Sequence, residues 1–148
     1  MPTIYLGIGS NLGNRRENIV EALKLLEEAG IPITQRSSII ETDPVGGPPQ
    51  GKFLNAVIKT ESSFSPKTIL KKIKSIEKKM GRIKTIDNGP RPIDIDILLY
   101  DNIELNTKDL TIPHPRMLER AFVLQPLKEL NPDFLLRYEN NHTTQNPS

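Results

Sequence analysis

The chain has 148 residues, with 20 Lys and Arg against 18 Asp and Glu, 13 prolines, and neither cysteine nor tryptophan. That length buries the core of one ordinary domain without staples, and the missing cysteine excludes disulfide scaffolds, thiolate metal sites and cysteine nucleophiles. A net charge of +2 gives no ground for a nucleic-acid partner; no apolar run nears the ~20 residues of a membrane span, and no signal peptide opens the chain, so a cytoplasmic protein is expected.

Thr3 to Gly9 is a short apolar run rich in β-branched residues and reads as a buried strand. Asn14 followed by Glu17 is spaced as a capping box, and Ile19, Ala22, Leu23, Leu26 and Ala29 form a helical stripe ended by Gly30 and Pro32. Thr34 to Thr42 reads as a second strand, more polar and near an edge. The stretch 43–52 holds Gly46, Gly47, Pro48, Pro49 and Gly51 and is a loop too long for a tight hairpin. Phe53 to Thr60 is a third strand. Ser65 and Pro66 then supply an N-cap and first-turn proline for a helix to Met80, with Ile69, Leu70, Ile73 and Ile76 on its apolar face and Gly81 as its stop. Ile93 to Tyr100 is a fourth strand, and the spacing of Leu118, Ala121, Phe122 and Leu127 predicts a short helical segment within 116–130.

Strand, helix, strand, strand, helix, strand is the order of a ferredoxin-like βαββαβ fold of the α+β class. It predicts an antiparallel sheet with helices packed on one face, plus a C-terminal extension. Residues 1–138 are expected to form a single catalytic domain, and the polar run from Glu139 to Ser148 a disordered tail.

Two glycine patterns fail as phosphate-binding motifs. Gly7-Ile8-Gly9 follows a strand, but Leu12 stands where a dinucleotide fingerprint needs its third glycine. Gly46 to Lys52 has P-loop spacing, yet Phe53 replaces the hydroxyl residue, Pro48 and Pro49 remove two N–H donors, and a strand follows instead of a helix.

The strongest signal is Gly89-Pro90-Arg91-Pro92-Ile93-Asp94-Ile95-Asp96-Ile97-Leu98-Leu99. Alternation sends Ile93, Ile95, Ile97 and Leu99 to one face and Asp94 with Asp96 to the other, their Cα atoms ~6.6 Å apart. Two neighbouring carboxylates repel unless solvated or neutralised. They are either the wetted outer face of a half-buried sheet or the oxygen ligands of a hard divalent cation such as Mg²⁺. Context favours the cation. Arg91 is held between two prolines, Ile112-Pro113-His114-Pro115-Arg116 fixes a histidine in a stiff loop, and Arg120 follows. Residues 67–91 carry nine basic side chains against Glu77 and Asp87. The helix lysines among them serve as a solvated face, whereas Arg82 and Lys84 lie past Gly81, in a loop leading to the aspartates. Acids that hold metal beside converging Arg and His make the electrostatics of phosphoryl transfer. A metal-dependent phosphohydrolase would use the same carboxylates. A non-catalytic ferredoxin-like RNA-binding module would instead need exposed aromatics on its central strands.

With those segments in hand, the sequence resembles the hydroxymethyldihydropterin pyrophosphokinases of folate biosynthesis. The likeness runs from Ile4 to about Leu130 and is carried by Gly7 to Gly13, Thr42-Asp43-Pro44-Val45-Gly46, Phe53-Leu54-Asn55-Ala56, Gly81-Arg82, Gly89 to Leu99, and Pro113-His114-Pro115-Arg116 through Arg120-Ala121-Phe122. It implies Mg²⁺-dependent transfer of pyrophosphate from ATP to the hydroxymethyl group of a reduced pterin, releasing AMP. Asp94 and Asp96 would bind two Mg²⁺ ions. Arg82, Lys84, Arg91, His114 and Arg120 would hold ATP, with Arg82 and Arg91 also catalytic and the adenine against backbone near Ile97 and Thr111. Phe53 and Phe122 would sandwich the pterin while Asn55, Thr42 and Val45 read its edge. ATP and the pterin are then the partners of a monomer that engages neither nucleic acid nor membrane. Three departures from some members are visible: Lys84 to Asn88 lacks an arginine and a large aromatic, Pro115 stands where tyrosine occurs, and Phe53 replaces a tyrosine.

The prolines divide accordingly. Pro44, Pro48, Pro49, Pro90, Pro92, Pro113 and Pro115 flank the candidate site residues, and the other six are expected at termini and element ends.

Overall fold

The computed structural model describes residues 1–44, 47–81, 90–115 and 121–133, with the side chains of residues 121 and 122 left out. Strand β1 (Thr3–Ser10) leads through Asn14, whose Oδ1 accepts from the Glu17 N–H at 3.2 Å, into helix α1 (Arg15–Glu28). The cap satisfies one of the N–H groups that a helix start leaves unpaired. After α1 the chain turns at Gly30 with φ of 86°. A Cβ there would lie 3.2 Å from the Phe64 ring, so backbone conformation and packing both call for glycine.

The second strand arrives in two pieces, β2 (Gln35–Arg36) and β3 (Ile40–Thr42), both antiparallel to β4 (Phe53–Glu61). The sequence reading gave one strand over 34–42. Arg36 pairs Ile58 and Ile40 pairs Asn55, which leaves one surplus residue on the β2–β3 side. Ser37 fills the break: its N–H donates to Val57 O at 2.9 Å and its Oγ accepts from Val57 N at 2.8 Å. A hydroxyl thus takes the place of a ladder carbonyl, which hydrophobic alternation cannot reveal.

Helix α2 (Pro66–Lys79) starts on Ser65, whose Oγ accepts from Thr68 N at 3.2 Å, and ends before Gly81. Strand β5 (Asp94–Tyr100) follows, then a two-stranded ladder of β6 (Leu105–Asn106) and β7 (Thr111–Ile112), then α3 (Ala121–Leu130). The β6–β7 ladder escaped the sequence reading because two-residue strands carry no period. The predicted helical segment appears as α3; residues 116–120 and the expected tail at 139–148 lie outside the described residues. Pro126 sits inside α3, buried, and not at an element end. It costs a helical N–H, and burial of its ring offsets that loss.

The main sheet has the order β2-β4-β1-β5, with β3 also on β4, and every pairing is antiparallel. The result is an α+β fold with an antiparallel sheet and, among the described residues, three helices. Ile4, Leu6 and Ile8 of β1, Ala56 and Ile58 of β4, and Ile95 and Ile97 of β5 pack with Ile19 and Leu26 of α1 and Ile69 and Ile73 of α2. The opposite face carries a smaller cluster of Tyr5, Val57, Leu98 and Leu99 with Leu127 of α3. Helices α1 and α2 therefore share one face, as expected, while α3 partly covers the other.

One alternation fails. The register of β5 against β1 shifts between Tyr5 and Leu6: Tyr5 faces Leu99 but Leu6 faces Ile97. The extra residue at Leu98 reverses the phase of the strand, so Leu99 joins Tyr5 on the face of α3 and does not follow Ile93, Ile95 and Ile97.

Candidate active site

The sheet face not covered by α1 and α2 becomes a cleft beyond α3, and the register explains its floor. Gly9 pairs with Asn55 and Asp94, and Gly7 with Val57 and Asp96. Paired residues share a face, so the two aspartates, the asparagine and two residues without side chains stand together. A Cβ at Gly9 would come within 2.5 Å of the Asn55 Oδ1 and 3.3 Å of Leu54 O. Glycine there makes room for the carboxamide. At Gly7 the nearest atoms are those of Leu98 at 3.5 Å, ordinary contact.

The cleft is lined by Gly7, Gly9, Thr42, Phe53, Asn55, Arg91, Asp94, Asp96 and His114, among others. Seven residues singled out from sequence are thus brought to one place by β3, β4, β5 and the loops at 90–93 and 113–115. Asn55 donates through Nδ2 to Thr42 Oγ1 at 2.5 Å, which leaves its Oδ1 over Gly9 and fixes the orientation of the amide. Arg91 brings its Nε to 3.4 Å from the Asp94 carboxylate and its guanidinium to 5.0 Å from the centroid of Phe53. The arginine therefore spans both ends of the cleft, an ion pair at one and a cation–π contact at the other. Phe53 is only 9% exposed, and one face of its ring meets Arg91. His114 follows a cis Ile112–Pro113 peptide, and its N–H donates to Leu98 O at 3.0 Å.

The edge of β5 is managed from α2. Glu77 is 3% exposed, and its Oε2 accepts from Ile95 N at 3.0 Å while Lys74 Nζ lies 3.4 Å from its other oxygen. A buried carboxylate holding the main chain between Asp94 and Asp96 was not anticipated; a lone acid among the lysines of α2 reads as surface charge. Asn11 was likewise passed over as a site residue, because an asparagine after a strand reads as a turn former. It binds the loops on both sides of the cleft.

The other candidates fall elsewhere. Ile97 points into the core beneath α1 and α2, and Thr111 sits on β7 opposite Asn106. Val45, Arg82, Lys84 and Arg120 lie outside the described residues, as does the side chain of Phe122. Among the described residues no group of three or more His, Cys, Asp or Glu converges on one point. Asp94 and Asp96 nonetheless suit Mg²⁺, which takes one or two carboxylates, keeps its waters and completes its shell with substrate phosphates. Among the described residues no helix is long and apolar enough to cross a membrane.

The sequence profile of the 7,8-dihydro-6-hydroxymethylpterin-pyrophosphokinase (HPPK) family matches residues 5–132. The chain belongs to the HPPK family. The family that the sequence resembles is the one whose profile it matches. A 2-amino-4-hydroxy-6-hydroxymethyldihydropteridine pyrophosphokinase of Aquifex aeolicus is 44% identical over 135 residues, 91% of this chain and 84% of the relative. The folic acid synthesis protein fol1 of Pneumocystis carinii is 42% identical over 132 residues, 89% of this chain but 18% of that protein. This HPPK chain spans between 18% and 25% of the length of such fungal and plant relatives. A solved HPPK-DHPS structure in complex with substrates matches with a TM-score of 0.67 at 18% identity, over 88% of this chain and 40% of that one, which supports the fold alone.

Proposed function

We propose that this HPPK chain transfers pyrophosphate from ATP to the hydroxymethyl group of 6-hydroxymethyl-7,8-dihydropterin, giving AMP and the pterin diphosphate. One observation carries this reading: Asp94 and Asp96 stand side by side on β5 in a cleft that Arg91, His114, Phe53 and Asn55 also line. Two acids, a guanidinium, an imidazole, an aromatic face and an amide are what a triphosphate and a flat heteroaromatic ring together require.

In this reading Asp94 and Asp96 hold two Mg²⁺ ions, which when bound neutralise charge across the triphosphate. Arg91, His114, Arg82, Lys84 and Arg120 bind the phosphates, and the main chain at Ile97 and Thr111 receives the adenine. Phe53 and Phe122 stack on the pterin, while Asn55, Thr42 and Val45 read its polar edge, an amide being able both to donate and to accept there. The hydroxymethyl oxygen attacks the β-phosphorus and gives its proton to solvent, the bond from that phosphorus to the α,β-bridging oxygen breaks, and AMP leaves with that oxygen. No protein nucleophile takes part; the residues orient the two substrates and spread the charge. The ion pair with Asp94 keeps the Arg91 guanidinium beside the reacting phosphates. The strand order β2-β4-β1-β5 supports a ferredoxin-like reading of the fold. A monomeric catalytic domain over residues 1–138, working in the cytoplasm, completes the proposal and rests on sequence alone.

Incubation with ATP, Mg²⁺ and the reduced pterin tests it. AMP and pterin diphosphate are expected in equal amounts, and only with both substrates present. Free phosphate released without pterin would establish a phosphohydrolase instead, and no reaction would leave a binding module.

A further inference from the structure

Arg15 opens α1, where a cation meets the positive end of the helix dipole and helix stability gives no reason for it. Its side chain turns to the sheet instead. Nη1 donates to Lys52 O at 2.9 Å, and Nη2 lies 2.9 Å from Glu41 Oε2. Glu41 is the middle residue of β3 and Lys52 immediately precedes β4, so one guanidinium spans the base of the loop between them. Glu41 pairs with Leu54, which packs against the α1–α2 core, whereas the next rung pairs Thr42 with Phe53, and both of these line the cleft. Neighbouring residues of a strand point to opposite faces. Arg15 therefore grips the sheet from behind the rung that carries two cleft residues. Thr42 Oγ1 in turn accepts from Asn55 Nδ2. A second ion pair across the loop, Lys52 Nζ to Asp43 at 3.8 Å, is longer and more exposed, and such pairs hold little.

We propose that Arg15 is a positioning residue for pterin binding, a two-pronged clasp that closes the base of the β3–β4 loop and keeps the Thr42–Phe53 rung from fraying. This rests on the pyrophosphokinase reading of the cleft. The last rung before a long loop is where a hairpin opens. Each opening parts Phe53 from Thr42 and takes the acceptor from Asn55, so the ligand must supply the ordering that the protein has not supplied beforehand. A guanidinium suits the task because its planar fork holds a carboxylate and a carbonyl in fixed directions at once. A half-exposed ion pair and one hydrogen bond to a carbonyl together correspond to about five-fold in affinity. Solvent ions reach the pair, so salt weakens the clasp. A pterin without charge thereby acquires an affinity that depends on ionic strength.

The dissociation constant of 6-hydroxymethylpterin is measured at saturating Mg²⁺ and α,β-methylene-ATP, whose α–β bridge cannot be cleaved, in about 50 and about 500 mM NaCl. The dissociation constant of the nucleotide alone and the melting temperature are followed beside it. Arg15→Met keeps the apolar stem and loses the fork; it should weaken the pterin about five-fold at low salt and leave the nucleotide within about two-fold. Wild-type pterin affinity should fall about two-fold at the higher salt, and Arg15→Met should not show that fall. Arg15→Lys restores a point charge and should recover part of the loss. Glu41→Gln keeps an acceptor without charge and should abolish the salt effect, which keeps the test open should Arg15→Met not fold. A folded Arg15→Met protein with wild-type pterin affinity, or one that loses nucleotide and pterin affinity alike, would overturn the clasp. So would a salt effect that survives in Arg15→Met or Glu41→Gln. A wild-type protein that binds the nucleotide but no pterin would overturn the reading of the cleft, and the clasp with it.

Discussion

Replacing Gly9 with alanine tests how closely the cleft floor is fitted to Asn55. The new methyl would start 2.5 Å from Asn55 Oδ1, and ordinary contact begins near 3.4 Å, so the amide must retreat by about 0.9 Å. Backbone retreat is blocked as well, since Leu54 O would lie 3.3 Å from the same carbon. The carboxamide must therefore rotate away and give up its bond to Thr42. If the amide makes two hydrogen bonds to the pterin edge, at about 0.5–1.5 kcal/mol each, their loss weakens pterin binding by roughly 5- to 150-fold. Nucleotide affinity and the cooperative unfolding transition should change little, because Gly9 has no positive φ and alanine suits a strand at least as well. Gly7→Ala is the internal comparison: its methyl meets Leu98 at 3.5 Å and should cost much less. Titration of both variants with 6-hydroxymethylpterin, beside circular dichroism melts, decides the matter. A Gly9→Ala protein with wild-type pterin affinity would refute the proposed role of Asn55.

Asp96→Ala should abolish AMP formation while leaving the melting transition in place, since Asp96 faces the cleft and not a core; near-normal turnover would remove the metal assignment. Glu77→Leu should lower stability by about 1–3 kcal/mol in urea titrations by stranding the buried Ile95 N–H, whereas Glu77→Gln, which keeps an acceptor, should lose less. Burial, and secondarily the charge of Asp101, raise the pKa of Tyr100 above its usual 10.0, and its hydroxyl donates to Phe64 O at 2.5 Å. The folded state thus holds this proton more tightly than the unfolded chain does. The stabilisation is complete below pH 10 and is lost as pH rises through the folded value. Tyr100→Phe should remove that part of the alkaline decline in melting temperature; an unchanged alkaline slope would show that Tyr100 does not supply it.

How much of this was legible depends on the length scale of the signal. Asp94 and Asp96 announce themselves because charge interrupts an apolar strand at a period of two, and prolines mark the loops around Arg91 and His114. Capped helices were legible for the same local reason: Asn14 and Ser65 act within three residues. The misses at the cleft are long-range. Glu77 and Ile95 are 18 residues apart, and Asn11 and Arg91 are 80 apart, so no local pattern ties either pair together. The bulge at Leu98 and the break at Ser37 arise from register against a partner strand, which exists only once the sheet is assembled. Arg91 is the instructive mixture. Its place near the aspartates could be read from three residues of spacing, but its contact with Phe53 could not.

The surplus residue at Leu98 has a consequence for how β5 can change over time. It divides seven residues into a segment whose outward positions carry Asp94 and Asp96, and a segment whose side chains complete two separate cores. Because the phase resets between them, the packing constraints of Leu99 and Tyr100 do not propagate by alternation into the acidic half. Substitutions at positions 94 and 96 can change the cleft while Ile95 keeps its place in the core and the last two positions keep anchoring α3 and the Phe64 turn. The irregularity acts as an insulator between what the strand must do for the substrate and what it must do for the fold.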